Sequence, residues 1–512
     1  MSQQNTPSSS PNILFIMADQ MAASALSTYG HTVTKTPHLD KLAKQGVVFD
    51  SAYCNSPLCA PSRYVLMTGQ LPSKIGAFDN AADFPADIPT FAHYLRAQNY
   101  KTALSGKMHF CGPDQLHGFE ERLTTDIYPA DYGWFPNWDD PATRPTWYHN
   151  MSSVTQAGPC VRSNQLDFDD EVVFHAQRYL YDYVRREQER PFCLTVSMTH
   201  PHDPYAIPQE YWDRYQDEDI DLPKVTIAKE DQDPHSARLQ EVYAYYDQEL
   251  SEQQVRNARR AYYGAISYVD DKIGLLLKTL EETGLDKNTI IVFSGDHGDM
   301  LGERNLWYKM SFFEGSARVP MIIHAPDRFE PKRVKQSVST MDLLPTFLDM
   351  ACADHNTEFA MPIQGQSLFP HLTGKNDGHD EVIGEYFGEG TLAPLFMIRR
   401  KQYKYVCCSL DPEQLFDLEK DPFELNNLAE QTEYQEVLME FRKEAASRWD
   451  SNALSQQVLI SQRRRRLIVK ALNKGKKVAW DHQPLFDSSD MYMRNHIDLD
   501  DLEGRSRFPK VS

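Results

Sequence analysis

At 512 residues the chain has room for one large domain and a smaller one around a sizeable buried core. Hydrophobic residues make up 41% and charged residues 25%, ordinary values for a globular enzyme that exclude disorder except locally. The net charge of -20 argues against nucleic acid and anionic membranes as partners, and it obliges an anionic substrate to find a local basic focus or to carry a positive charge of its own.

Residues 1–10, rich in Ser, Gln, Asn and Pro, read as a disordered tail with no apolar leader, and no apolar run is long enough to span a membrane. Eight cysteines, at 54, 59, 111, 160, 193, 352, 407 and 408, form neither zinc-type pairs nor a dense disulfide framework, so they read mostly as reduced thiols. Together these features predict a cytoplasmic protein.

Asn12–Ala18 is a short continuous apolar run, the pattern of a strand buried on both faces, and it ends in Asp19-Gln20. A polar pair at the carboxyl end of such a strand is where α/β sheets place ligand groups. A helical pattern from Thr36 stops at Gly46, and Val47–Ala52 reads as a second strand leading to Cys59-Ala-Pro-Ser-Arg63. A helix over 61–69 follows, with Pro61 suited to its first turn and Cys59 at its amide-rich end. Phe91–Arg96 reads as a helix and Asn99–Leu104 as a strand, which delivers Ser105-Gly-Lys-Met-His109. On extended backbone Lys107 and His109 would project to one side.

Residues 110–165 hold few regular patterns and many aromatics, among them Trp134, Phe135, Trp138, Trp147 and Tyr148, which marks a functional loop. A helix over 170–188, a strand over 192–199 and a turn at His200-Pro-His-Asp-Pro-Tyr205 come next, then an acidic irregular surface stretch over 206–250. Val255–Thr283 reads as a long amphipathic helix, and Thr289–Phe293 as a buried strand ending in Ser294-Gly-Asp-His-Gly298. Asp19 and Asp296, with His297 and Gln20, make a candidate divalent-cation site. The order continues with Lys309, Glu314–Pro320, a strand and helix over 321–350, short strands within 381–430, a helix over 432–449, and the basic run Arg463–Arg466, Lys470, Lys474, Lys476 and Lys477. That run reads as a solvated face or a contact with an acidic neighbour.

Cys59-Ala-Pro-Ser-Arg63 closed by Thr68-Gly69, Gly106-Lys-Met-His109 and Gly295-Asp-His297 together resemble type I sulfatases, over nearly the whole chain. The stretch Gly112–Trp134, the turn His200–Tyr205, Gly295–Pro320 and the tail Trp480–Pro484 through Tyr492–His496 to Asp500 are similar to the members that act on choline O-sulfate. The resemblance implies an α/β fold like that of alkaline phosphatase, with a large mixed β-sheet flanked by helices, a smaller C-terminal α+β subdomain and an extended C-terminal tail. The domains expected are 11–375 (catalytic), 376–450 (C-terminal subdomain) and 451–512, an extension for oligomer contact and active-site closure.

It also implies roles. Cys59 would be oxidised to formylglycine by a formylglycine-generating enzyme or equivalent. Its hydrate would attack sulfur with one hydroxyl and expel sulfate when the other is deprotonated, so that the second step is an elimination. Asp19, Gln20, Asp296, His297 and the modified Cys59 would hold one divalent ion, Ca2+ or alternatively Mn2+, since a histidine nitrogen suits manganese better. Arg63 and Lys107 would stabilise the hydrate, His109 would accept the proton, and His200 and Lys309 would bind sulfate and assist the leaving oxygen. Trp134, His149, Asn80, Glu385 and Asp500 are the candidates for the substrate's ammonium end, because a trimethylammonium has no N–H and is recognised by ring faces and carboxylates. A homo-oligomer, dimer or tetramer, is expected. His297 stands where many sulfatases have asparagine, a variant shared with phosphonate monoester hydrolases, so phosphonate, phosphodiester or other alkyl and aryl sulfate hydrolysis are the alternatives. A non-catalytic metal-dependent binding protein is the outcome if Cys59 stays a thiol.

Overall fold

The structure, a computed structural model, describes residues 10–509 except 129–130, 187–189, 326, 352–357, 375–377, 477–481, 483, 485–493 and 495. The expected domain boundary near 375, Lys477 of the basic run and most of the tail motif over 480–496 lie outside the described residues.

An eight-stranded sheet forms the centre. Its strands are β1 (Asn12–Asp19), β2 (Val47–Tyr53), β3 (Lys101–Gly106) and β4 (Glu121–Arg122). A two-stranded sheet of β5 (Gly158–Cys160) and β7 (Ala206–Pro208) stands apart, and the large sheet continues with β6 (Phe192–Pro201), β8 (Thr289–Gly295), β9 (Met321–His324) and β10 (Lys332–Ser339). The order is β10-β2-β9-β8-β1-β6-β3-β4, and only β9 runs against the rest. The apolar runs of β1, β6 and β8 are buried along their whole length, as strands covered on both faces must be. Helix Asn164–Arg185 and the long helix Glu252–Thr283 pack on β6, and Leu343–Ala351 packs on Phe91–Ala97. Because the central strands are parallel, the chain leaves β1, β2, β3, β6 and β8 at one edge, which gathers residues far apart in sequence.

A second sheet, β11 (Glu381–Tyr386), β12 (Leu395–Arg400), β13 (Tyr403–Cys408) and β14 (Gln414–Asp417), is antiparallel throughout. Helices Gln435–Arg448 and Ser451–Leu472 follow, and Phe441, Ala445, Trp449, Leu454 and Val458 share a core with Phe396, Ile398 and Leu415 of this sheet.

Two expectations shift, and a third, the basic run against acidic neighbours, is met. The helix expected over 170–188 begins at Asn164, where the Ser163 side chain caps Leu166 N–H. The stretch 206–250 is only partly surface: helix Pro234–Val242, capped by Asp233, buries His235 and Leu239, and Tyr211, Tyr215 and Tyr243 are buried too. The basic run sits on helix Ser451–Leu472 and meets acidic neighbours, with Arg463 and Arg466 on Asp139 and Arg465 on Asp79.

Candidate active site

Cys59 opens helix Cys59–Thr68, every residue of which is buried. No side chain at its own N-cap serves the helix's free amides; Asn80 does so from outside, its Oδ1 accepting Ala60 N–H at 3.0 Å. Asn80, a candidate for the substrate's ammonium end, thus has its amide oxygen engaged at the helix start. Around Cys59 Sγ stand His297 Nε2 at 3.2 Å and Asp19 Oδ1 at 3.8 Å. His297 Nδ1 faces the carbonyl of Gly298 at 3.0 Å, so it donates there and turns Nε2 inward. Asp296 accepts from the backbone N–H groups of Gln20 (3.0 Å) and His297 (2.9 Å).

Cations lie among these carboxylates. Arg63 bridges Asp296 (2.9 Å) and Asp19 (3.2 Å) and donates to Ser197 Oγ (2.9 Å). Lys107 pairs with Asp19 and lies 4.6 Å from the centre of the Tyr128 ring. Lys309 Nζ donates to Gln20 Oε1 (2.6 Å) and to His202 Nε2 (2.8 Å). Burial opposes ionisation of the Cys59 thiol, yet Lys107, Lys309 and His297 outweigh it and hold its pKa well below the ordinary thiol value. Burial and Cys59 push Asp19 up, but Lys107 and Arg63 leave it well below the usual carboxylate range. Lys309 is raised despite its burial, by Cys59, Asp203 and Asp19, so it remains an ammonium.

The turn after β3 does not project Lys107 and His109 together along an extended strand. Gly106 has φ +111°, and a Cβ there would meet Ser197 O at 2.0 Å, so only glycine passes. His109, at φ +60°, is held by Asp126, which accepts from its N–H at 2.9 Å and from that of Met108 at 3.0 Å. The His109 ring favours the Cys59 thiolate, although neither of its nitrogens is in an aligned hydrogen bond.

His200, expected to bind sulfate and assist the leaving oxygen, is engaged through its Nδ1 by the neighbouring helix. It belongs to β6, and its Nδ1 is bonded to Asp169 Oδ2 at 2.6 Å, on the side of helix Asn164–Arg185. Two residues on, His202 is the histidine that reaches Lys309, with its Nδ1 donating to the Asp203 carbonyl at 2.6 Å. Gln20 keeps its place near the cluster, but Lys309 holds its amide oxygen, and its nitrogen donates to Asp299 at 2.7 Å. Asp19, Cys59, Asp296 and His297 remain as a set whose ligand atoms lie within 4.8 Å of one another, all buried. Two carboxylates, an imidazole and a group convertible to an oxygen donor fit one divalent ion.

At the rim, Trp134 stands 37% exposed with its ring edge-on to His109, the centroids 6.1 Å apart. His149 lies 4.9 Å from the Tyr308 ring, and burial above all, then Lys309, lowers its pKa to about 4, so it is neutral at pH 7. Glu385 does not face this rim: it accepts from Ser73 N–H and Oγ, both at 2.8 Å, and from Trp449 Nε1 at 2.8 Å. A second carboxylate, Glu389 in the loop after β11, accepts from Tyr386 and is close enough to Cys59 and Lys309 to feel their charge; the sequence missed it because only folding separates it from Glu385. It is buried, and its pKa rises to about 7, chiefly through desolvation and then through Asp79 and Cys59, against Lys309 and its own backbone. Tyr148 and Tyr386 are the aromatic neighbours that feel its charge. Asp500 is exposed in the first turn of helix Leu499–Ser506, where its N–H serves the Asp498 cap.

The sulfatase family model matches residues 11–353, and the chain belongs to the sulfatase family, hydrolases of sulfuric esters. Residues 302–449 match the C-terminal model of N-sulphoglucosamine sulphohydrolase, and residues 456–508 match that of the choline sulfatase C terminus. The chain is 48% identical over 509 residues to the choline-sulfatase of Rhizobium meliloti, covering 98% of this chain and 99% of the relative. It is 30% identical over 466 residues to an arylsulfatase of Clostridium perfringens, covering 85% and 93%. Among solved structures, the phosphonate monoester hydrolase of Agrobacterium radiobacter matches with TM-score 0.68 at 24% identity, over 85% of this chain and 95% of that one, a likeness of fold. Among the described residues, no helix is long and apolar enough to cross a membrane.

Proposed function

We propose that the protein hydrolyses choline O-sulfate to choline and sulfate. The observation that carries this reading is the end-to-end likeness to a choline-sulfatase, which includes the C-terminal segment. The surroundings of the pocket support it: a buried carboxylate, Glu389, whose ionisation feels Cys59 and Lys309, and an exposed Trp134 whose ring meets His109. A zwitterionic ester also suits a strongly acidic chain.

Formylglycine at position 59 would supply the attacking hydroxyl and a second hydroxyl whose deprotonation releases sulfate. A divalent ion held by Asp19, Asp296, His297 and residue 59, Ca2+ or Mn2+, would polarise the ester. The chain's own residues do the rest. Arg63 holds the two carboxylates in place, its Nε hydrogen-bonded to Asp296 and its Nη2 ion-paired with Asp19, while Nη1 is anchored on Ser197. Lys107 keeps the nucleophile's end of the pocket cationic, and the unengaged ring nitrogens of His109 suit it to take the proton that triggers release. Lys309, still charged though buried, and His202 form the acid side that meets sulfate and the departing alkoxide, in place of His200. Gln20, bonded to Lys309 and Asp299, orients that lysine.

Maturation by a formylglycine-generating enzyme, a cytoplasmic location and a homo-oligomeric state belong to the same proposal. Within an oligomer, Asp500 would meet the site as a neighbour's residue. The test is the mass of the peptide spanning Cys59 in active enzyme. Conversion to the aldehyde is expected; full activity with an unmodified thiol overturns the reading and leaves a metal-dependent binding role or another nucleophile.

A further inference from the structure

Helix Ser451–Leu472 brings the basic run against the aromatic loop. Arg463 Nη2 holds Asp139 at 2.7 Å, Arg466 holds Asp139 and Asn137, and Gln462 Oε1 accepts the N–H of Trp138 at 3.0 Å. The Arg463 and Arg466 pairs are open to solvent and fix little by themselves. Arg465 is different. It reaches inward to Asp79 as a two-pronged pair with both side chains at most 3% exposed, Nη2 lying 2.7 Å from Oδ2. Its guanidinium covers the ring of Phe135 at 4.6 Å. Asp79 also accepts Ala81 N–H at 3.0 Å, and its neighbour Asn80 caps the helix that begins at Cys59. One side chain from the C-terminal segment therefore touches both the loop that presents Trp134 and the segment that seats the nucleophile helix.

We propose that Arg465 is a positioning residue for the cationic end of the substrate: by clamping Asp79 and covering Phe135 it fixes the loop that carries Trp134 and cancels the Asp79 charge. A planar fork is suited to this, because it meets a carboxylate with two parallel hydrogen bonds while its face stacks on a ring. The clamp has a second effect. Asp79 is close enough to Glu389 to raise its pKa. With Arg465 in place, the ammonium is directed to Glu389 and does not bind wastefully at Asp79. Among the described residues, the sulfate end, built on Lys107, Arg63, Lys309 and His202, shares no hydrogen bond or ion pair with Arg465. The residue is thus a selectivity device that the C-terminal segment contributes to its own chain's site, and the inference rests on the choline ester as substrate.

The experiment measures KM and kcat for choline O-sulfate and for 4-nitrophenyl sulfate with wild type, R465Q, R465K and the double variant D79N/R465Q, alongside thermal melts of each. For R465Q we expect KM for choline O-sulfate to rise about tenfold with kcat and the 4-nitrophenyl sulfate constants changing less than about threefold. R465K should recover part of the loss, since a lysine keeps the charge but not the fork. Should R465Q fail to fold because Asp79 is left buried and unpaired, the double variant carries the test, having no buried charge, and the same split is expected of it. Equal losses on both substrates, or an unchanged KM for choline O-sulfate in a folded variant, overturn the proposal. If wild type itself shows no preference for choline O-sulfate, the fault lies with the substrate assignment, and Arg465 loses its role with it.

Discussion

The pocket around Cys59 and the rim around Trp134 are built from different parts of the chain. Cys59, Asp19, Lys107, Asp296 and His297 sit just beyond or at the ends of strands of one parallel array, and none is more than 2% exposed. Trp134 stands 37% exposed on an irregular loop, Glu389 follows an edge strand of the second sheet, and helix Ser451–Leu472 braces the loop from outside. A rigid core edge suits charge stabilisation, which demands fixed geometry. A loop backed by a separate helix suits selectivity, because it can change without disturbing the chemistry.

The comparison is broken most severely at the sulfate end. Asp296→Asn should lower bound metal and cut turnover on every sulfate ester alike, by roughly 10²-fold or more, the scale of losing a fixed electrostatic partner in a buried site. Metal analysis beside the kinetics checks this; full occupancy would remove Asp296 from the ligand set. Changes at the rim should instead split the substrates. Glu389→Gln should cost choline O-sulfate about 2 kcal/mol in kcat/KM, the worth of one desolvated charged contact, and spare an aryl sulfate. The same group predicts a pH dependence. With its carboxyl raised to about 7 by burial, Glu389 is neutral below that pH and anionic above it. The ratio of kcat/KM for choline O-sulfate to that for 4-nitrophenyl sulfate should therefore fall as pH drops through about 7. In Glu389→Gln the ratio should stay flat.

Trp134→Ala should cost about 1–2 kcal/mol on choline O-sulfate alone, the range of a partly exposed cation–π contact. Equal losses on both esters would make the indole a support for the loop. Smallest of all should be the effect of Glu385→Gln on selectivity. That carboxyl is occupied by Ser73 and Trp449, so the change should lower the melting temperature and leave the substrate ratio where it was.

The same division explains what could be read from the sequence. Apolar runs ending in Asp19 and in Gly295-Asp296-His297 announce buried parallel strands and their candidate ligands because both signals are local, as is Cys59-Ala-Pro-Ser-Arg63. Which of His200 and His202 faces the nucleophile is not local. It depends on the β1–β6 register shift at Ala18/Asp19 and on Asp169 from a preceding helix. Glu385 and Glu389 part because β11 turns the first toward Ser73 and Trp449, while the loop leaves the second within reach of the charges of Cys59 and Lys309. The Arg465–Asp79 pair joins residues 386 apart, and a basic run gives no sign of which arginine points inward.

The central claim is that a general sulfuric ester site has been narrowed to a cationic alcohol's ester by the rim. A single preparation with measured Cys59 conversion, assayed on choline O-sulfate, 4-nitrophenyl sulfate and a phosphonate monoester, tests it most directly. The account predicts the highest kcat/KM for choline O-sulfate, by at least about tenfold over either of the others. A phosphonate monoester turned over faster than choline O-sulfate, or no discrimination among the three, would contradict it.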